Sequence, residues 1–260
     1  MRPLKYSLGI IVMDTKKTSG AYRAVKWIVR ALFPKMWVEG LENIPEGGAI
    51  IVGNHAHAYG PFAVELFLGS NRYTWCAAEM MNLKEVPAYT FQDFWSMKPK
   101  YTHFFYRIAS YLIAPLSVLI FNNANTIPVY HDARVMTTFR QTLRFLREGK
   151  NIVIFPEHTV PRNNIVYDFQ DRFIDVAKMY YNQTGRELSF VPMYTAPRLK
   201  KMILGKPIRY RANASMDEER QRICEELMEA VTRLGQAQPK HIVVPYAVIP
   251  HKDYPYNRDA

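Results

Sequence analysis

The sequence predicts an α/β protein: a mixed, partly parallel sheet flanked by helices, with an amphipathic helix at the amino terminus. Three observations carry that prediction. The apolar run 49–52 closes in Gly53-Asn54-His55-Ala56-His57-Ala58-Tyr59-Gly60-Pro61, so a buried strand ends in a histidine and a turn leads into Pro61, a favourable opening residue for a helix. The run Asn151-Ile152-Val153-Ile154 ends in the same way, in Phe155-Pro156-Glu157-His158-Thr159. Helical periodicities alternate with such short apolar runs, which is the pattern of a sheet with parallel stretches. Open α/β sheets bind ligands at the carboxyl ends of their strands, so the two polar segments are expected to meet in one site.

In chain order, residues 21–37 read as an amphipathic helix in which Trp27, Ile28, Ala31 and Leu32 interleave with Arg23, Lys26, Arg30 and Lys35. Such a helix suits a membrane interface, or packs on the domain with its basic face in solvent. After the strand at 49–52 and the helix from Pro61, residues 89–106 gather Phe91, Phe94, Trp95, Tyr101, Phe104, Phe105 and Tyr106. That density fits an acyl-chain groove, a lipid-embedded surface or plain core. No charge lies between Arg107 and His131, but the apolar part, 108–121, falls short of the roughly 20 residues a spanning helix needs. It reads as a buried or membrane-dipping helix.

Residues 132–147 form a helix with Asp132 as N-cap, Val135, Phe139, Leu143 and Leu146 as its apolar positions, and Gly149 as its stop. A strand over 152–155 follows, then a helix from about 171 to 182 that ends before Gly185, then the apolar run 188–193. The last helix, 216–234, places Ile223, Leu227, Ala230, Val231 and Leu234 on one face. The tail from Pro250 is expected to be loosely held. The chain thus divides into an amphipathic helical segment, 1–37, an α/β domain, 38–249, and a tail, 250–260.

With 260 residues, one large domain is favoured over two small ones. The net charge of +11 favours an anionic partner: a membrane surface, a phosphorylated substrate, a thioester cofactor or nucleic acid. Helix-turn-helix, RNA-recognition and zinc-finger signatures are missing, so nucleic acid is not expected. Neither a Walker nor a dinucleotide fingerprint occurs. Cys76 and Cys224 fit no disulfide framework; they read as small buried residues of a reducing compartment. His55 and His57 lack a matched third ligand, so no metal is expected. The opening Met1-Arg2-Pro3-Leu4-Lys5 precedes a short apolar run, 6–13, then Asp14-Thr15-Lys16-Lys17, with no small-residue cleavage site; secretion is not expected.

Four blocks, in order, carry a family resemblance. The first is Asn54-His55 with Gly60 five residues after the histidine, approached through Val38-Glu39-Gly40-Leu41-Glu42-Asn43-Ile44-Pro45-Glu46-Gly47-Gly48. The others are Ile127-Pro128-Val129 followed by Tyr130-His131, then Phe155-Pro156-Glu157-His158-Thr159-Val160, then Phe190-Val191-Pro192-Met193. Together they resemble the phospholipid and glycerol acyltransferase family, the group that includes the 1-acylglycerol-3-phosphate acyltransferases. The resemblance implies a membrane-associated enzyme that moves a fatty acyl group from a thioester donor, acyl-CoA or acyl-carrier protein, to a hydroxyl of a glycerolipid-type acceptor such as a lysolipid. No bound cofactor is implied. His55 would be the general base, a role suited to a side chain that titrates near neutrality. Asn54, Glu157, Thr159, Arg162, His131 and His158 would contact the acceptor. The implied place is the cytoplasmic face of an anionic membrane, as a peripheral or monotopic protein.

The departures sharpen the expectation. The family's orienting Asp is Gly60 here, and its usual arginines are replaced by His131 and Val160. Loss of the arginines points away from lysophosphatidic acid, toward another lysolipid or a hydroxyl or amine acceptor without a phosphomonoester; Arg162 lies two residues past Val160 and is the cation placed to reach the same anion. No obvious acid replaces Gly60. Glu65, on a helix beginning at Pro61, would be turned about 140° away and displaced by about 7.5 Å. Asp132 and Glu157 would serve only through tertiary proximity. A second reading keeps the fold without turnover, as a lipid- or acyl-carrier-binding protein.

Overall fold

A computed structural model describes residues 19–96 and 98–255. Residues 1–18, with the run weighed above as a signal peptide, lie outside the described residues, as do Met97 and 256–260. The strands are β1 (Trp37–Glu39), β2 (Ile50–Gly53), β3 (Arg72–Ala77), β4 (Thr126–Val129), β5 (Asn151–Ile154), β6 (Glu157–Pro161), β7 (Tyr167–Phe169), β8 (Ser189–Ala196), β9 (Lys201–Leu204) and β10 (Ile208–Arg209). The helices are α1 (Gly20–Leu32), α2 (Tyr59–Phe67), α3 (Val86–Thr90), α4 (His103–Asn123), α5 (Val135–Arg147), α6 (Asp175–Thr184) and α7 (Met216–Gln236).

The main sheet runs β1-β9-β8-β2-β5-β3-β4, with β10 paired to β8. Its centre is parallel: β2 lies between β8 and β5, with Ile50 opposite both Phe190 and Ile152. The β8–β9 and β8–β10 pairs are antiparallel, so the sheet is mixed as the sequence predicts. Successive strand residues face opposite sides. Ile50, Val52, Ile152, Ile154 and Phe190 join a core with Leu143, Leu146, Val176, Leu227 and Val231 from α5, α6 and α7. Ile51, Val153, Val191 and Met193 meet Ala63 and Val64 of α2 on the other side. Three layers result, and β2, buried at every position, is the axis of the sheet.

Several boundaries differ from expectation for local reasons. The helix expected from Asp132 begins at Val135, because Asp132 spends its carboxylate on the Arg134 amide (2.8 Å) and guanidinium. The helix from 171 opens with a 3-10 turn over Arg172–Ile174 before α6. The helix opening the first motif begins at Tyr59 rather than Pro61.

Two elements present apolar side chains to the outside. On α1, Lys26 pairs with Glu65 and Arg30 donates to the Leu66 carbonyl (3.2 Å), while Trp27 (72%) and Leu32 (82%) stand exposed. The basic side partly grips the domain, and an apolar side faces outward. The aromatic stretch is likewise not core at its end: Tyr101, Phe104 and Phe105 are all exposed, as are Ile108, Tyr111, Leu112 and Leu116 of α4. Among the described residues, one helical stretch, Lys100–Asn123, is long and apolar enough to cross a membrane by length and composition.

Glu65 fastens α1 to the sheet. Its carboxylate accepts from Tyr22 Oη (2.8 Å), Lys26 and Arg72 (2.9 Å), and Arg72, 3% exposed, also donates to the Val64 carbonyl (2.9 Å). Burial pushes the Glu65 carboxyl up, but Arg72, Lys26 and Tyr22 outweigh burial and hold it below its ordinary value. Replacing Glu65 with alanine strands a buried guanidinium, and urea unfolding should show a loss of about 3 kcal/mol. Because the folded carboxyl titrates low, the stabilisation is present above the ordinary carboxylate range and is lost as pH falls through the depressed value.

Candidate functional site

At the carboxyl end of β2 the chain makes a tight reversal tied down on both sides, by the Asn54 side chain to the β8 backbone and by the Glu157 side chain from just past β5. Asn54, 2% exposed, is clamped to β8: its Oδ1 accepts from the Thr195 amide (2.7 Å) and its Nδ2 donates to the Thr195 carbonyl (3.1 Å). Glu157, 3% exposed, begins β6 just past β5. One carboxylate oxygen accepts from the His55 amide (2.5 Å), the other from the Tyr167 amide (2.9 Å). The two polar segments therefore meet, as their strand-end positions require. Their contact is a scaffold in which Asn54 and Glu157 spend their hydrogen-bonding capacity on backbone. Burial pushes the Glu157 carboxyl up to about 7, against the two amide bonds that favour its charged form.

Past His55 the backbone turns left-handed twice, at Ala56 (φ 46°) and His57 (φ 53°). Neither residue is glycine, and each such position costs about 1 kcal/mol or more. The reversal turns the His57 carbonyl back onto the His55 ring, where it meets Nδ1. A carbonyl only accepts, so Nδ1 carries the proton and Nε2 the lone pair. The ring is half-buried, with Phe155 (5.3 Å) and Tyr246 (5.7 Å) edge-on to it. Burial lowers its pKa below the ordinary value, the carbonyl bond opposing in part. The site thus holds a neutral imidazole with a fixed tautomer at a strand end, which is the state a general base requires.

Gly60 sits against this reversal. Its amide donates to the His55 carbonyl (3.0 Å), and an added Cβ would lie 2.7 Å from that oxygen, 2.8 Å from Phe155 Cε1 and 2.9 Å from the Asn54 oxygen. Glu65 faces α1 and Arg72, the residue that begins β3, at the amino-terminal end of the parallel strands, whereas His55 follows the carboxyl end of β2.

The remaining sequence-derived residues scatter. Arg162 pairs with Asp168 (3.9 Å) and Glu225, so its charge is already met. His158 lines an open cleft with Arg172, Arg220 and Glu225. Thr159 is exposed on β6. His131 lies exposed in the turn after β4, and β4 stands three strands from β2, or about 14 Å across the sheet. Only Asn54, His55 and Glu157 of the sequence-derived set come together. Among the described residues, no group of three His, Cys, Asp or Glu is placed to hold a metal ion.

The sequence reading missed the segment that closes the site. Residues 241–255 cross it with little regular structure. Pro245 O accepts from the His57 amide (3.1 Å), Ala247 O bonds His57 Nε2 (2.8 Å), and Tyr254 Oη reaches His57 Nδ1 (3.3 Å) with its ring perpendicular to the imidazole. His241 ties the start of the segment to Tyr194 (2.8 Å), and the Val243 amide donates to Pro255 O (3.0 Å). The one sequence signal was Val243-Val244 among prolines, which has no periodicity to read.

Residues 35–196 match a family model described as Acyltransferase. No curated protein matches the sequence. Among solved structures, the chain is similar to the crystal structure of the 1-acyl-sn-glycerophosphate (LPA) acyltransferase PlsC from Thermotoga maritima, at 17% identity and a TM-score of 0.49, over 88% of this chain and 86% of that one.

Proposed function

The chain belongs to the acyltransferase family, and from that premise we propose that it transfers a fatty acyl group from a thioester donor, acyl-CoA or acyl-carrier protein, to a hydroxyl of a glycerolipid-type acceptor, with His55 as general base. The observation that carries the reading is the His55 ring just past the carboxyl end of β2 with its Nδ1 against the His57 carbonyl, an arrangement that commits Nδ1 as donor and leaves Nε2 as the acceptor. Nε2 takes the acceptor's hydroxyl proton as that oxygen bonds to the thioester carbonyl carbon. The tetrahedral oxyanion collapses by breaking the C–S bond, and the imidazolium returns the proton to the departing thiolate. Asn54 and Glu157 hold the histidine's backbone in register with β8 and β6 while this happens. No metal or bound cofactor enters the scheme.

The acceptor is a lysolipid other than lysophosphatidic acid, or a hydroxyl or amine compound without a phosphomonoester. Supporting this, Arg162 is neutralised by Asp168 and Glu225, and His131 stands three strands away. Reaction takes place at the cytoplasmic face of an anionic membrane, on which the protein sits as a peripheral or monotopic guest. The outward Trp27, Ile28 and Leu32 of α1 and Phe104, Phe105, Tyr111 and Leu112 of α4 support this. The Ser19 amide bonds Asn123 (3.1 Å), so the two helices are tied together. The net charge of +11 adds attraction to anionic headgroups, and two unpaired cysteines fit a reducing compartment.

The test is an assay of thiol release and lipid product by mass spectrometry, offering acyl-CoA and acyl-carrier protein against lysolipid and small-alcohol acceptors. Product is expected with an acceptor lacking a phosphomonoester; lysophosphatidic acid as the best acceptor would overturn the specificity. No product from any pair, with vesicle binding retained, would leave a binding protein that kept the fold and lost the reaction. Sedimentation with anionic vesicles should pull the protein down, and replacing Phe104, Tyr111 and Leu112 together with serine should release it. Unchanged sedimentation of that variant would remove α4 from the membrane contact.

A further inference from the structure

We propose that His57 is the positioning residue for the base: its backbone carbonyl does on His55 Nδ1 what a carboxylate does elsewhere in the family, and residues 245–254 hold that carbonyl in place. The inference rests on the reading of His55 as base and extends it to what orients the ring. Gly60, where the resemblance calls for the orienting acid, has no side chain, and Glu65 is spent on α1. The group that does meet Nδ1 is the His57 carbonyl.

That carbonyl faces His55 only because Ala56 and His57 both lie in the left-handed region, which L-residues leave unless the surroundings hold them there. The holding groups are identifiable. The His57 amide donates to Pro245 O (3.1 Å), fixing the peptide on one side. The His57 ring bridges two further points, donating from Nε2 to Ala247 O (2.8 Å) and accepting at Nδ1 from Tyr254 Oη (3.3 Å). These assignments are mutually consistent for a neutral ring, since a carbonyl needs the Nε2 proton and leaves Nδ1 as the acceptor. Burial also lowers the His57 pKa, in keeping with a neutral bridge. His57 is thus a ring tied to the carboxyl-terminal segment and a carbonyl tied to the base.

The first test needs no substrate. In the full chain labelled with nitrogen-15 histidine, His55 should show a protonated Nδ1 and a bare Nε2 at neutral pH. The opposite tautomer would overturn the proposal even in an active enzyme, whereas the expected tautomer in a protein that transfers no acyl group would overturn the function and leave the positioning intact. The second test is His57→Ala, which keeps a carbonyl but frees it from residues 247 and 254. Misplacement of a catalytic group by about 1 Å costs about 100-fold, so kcat should fall by that order while KM stays put and the His55 signals split between tautomers. His57→Gln, whose amide can donate to Ala247 O, should recover most of the loss. Should His57→Ala fail to fold, Tyr254→Phe removes one hydroxyl and should lower kcat several-fold with an unchanged melting temperature. Parent-like kcat in both His57→Ala and Tyr254→Phe, or equal losses in the alanine and glutamine variants with the His55 tautomer unchanged, would overturn the proposal.

Discussion

Replacing His55 with alanine is expected to lower kcat by about two to four orders of magnitude, the range supplied by a positioned general base. The scaffold should survive the change. The bond from residue 55 to Glu157 is made by the backbone amide, and Asn54 holds Thr195 independently of the ring. What disappears is a half-buried imidazole between Phe155 and Tyr246. Circular dichroism and vesicle binding should therefore match the parent while product formation does not. The parent's pH profile makes the same claim independently. The neutral ring is the active form, and burial holds its pKa below the ordinary histidine value. As pH falls the base is lost only on passing that lowered value, so the ring's own acid limb should lie below about pH 6.5. A partial loss near pH 7 should precede it, as Glu157, which holds the His55 amide, takes up its proton. An acid limb above pH 7 that persists in Glu157→Gln, or a His55→Ala variant retaining more than a small fraction of parent kcat, would remove His55 from the chemistry.

The half of this site that was legible in the sequence is the half written in side-chain pattern. The apolar run into Asn54-His55 and the run into Phe155-Pro156-Glu157 fix two strand ends, and once β2 and β5 pair in parallel their trailing loops have to meet. Phe190-Val191-Pro192-Met193 falls within β8, the partner Asn54 clamps. What Asn54 and Glu157 hold was not legible, because an amide or carboxylate gives no sign in sequence that it reaches a backbone group more than a hundred residues away, Thr195 for Asn54 and His55 for Glu157. The left-handed pair at Ala56 and His57 was hidden for a related reason. Glycine or asparagine announces positive φ; histidine does so only weakly, and alanine adopts it only when tertiary contacts impose it. Those contacts come from residues 245–254, which have no periodicity of their own. The β6–β7 hairpin was missed because His158-Thr159-Val160-Pro161 does not alternate, and the register between Glu157 and Pro161 is irregular. The partners of Arg162 were likewise hidden: in the structure it pairs with Asp168 on β7 and Glu225 on α7, which nothing in the spacing indicates.

The same geometry predicts that restoring the family's acid, Gly60→Asp, will damage the protein instead of improving it. A Cβ at residue 60 would sit 2.7 Å from the His55 carbonyl oxygen and 2.9 Å from the Asn54 oxygen, and these are backbone atoms that no rotamer change can move aside. The third neighbour, Phe155 Cε1 at 2.8 Å, is a ring already packed on His55. Gly60→Ala isolates this steric part and should cost about 1–3 kcal/mol, as overpacking does elsewhere. The aspartate adds a carboxylate pressed toward two carbonyl oxygens, like partial charges at close range, in a position that is buried in the parent. Its cost should exceed the alanine's, and relief requires the Asn54–His55 backbone to move, which breaks the amide bond to Glu157 or the clamp on Thr195. Moving that backbone also moves His55, so the folded fraction that remains should have lower kcat than Gly60→Ala. Chemical unfolding and single-turnover transfer on the same samples separate the two losses. A Gly60→Asp enzyme that is more active than its parent would mean that the reversal can be rebuilt around an acid, and that the His57 carbonyl is a substitute the base can do without. A less active one means that glycine at this position and a carbonyl on Nδ1 form a single arrangement, in which neither can be exchanged alone.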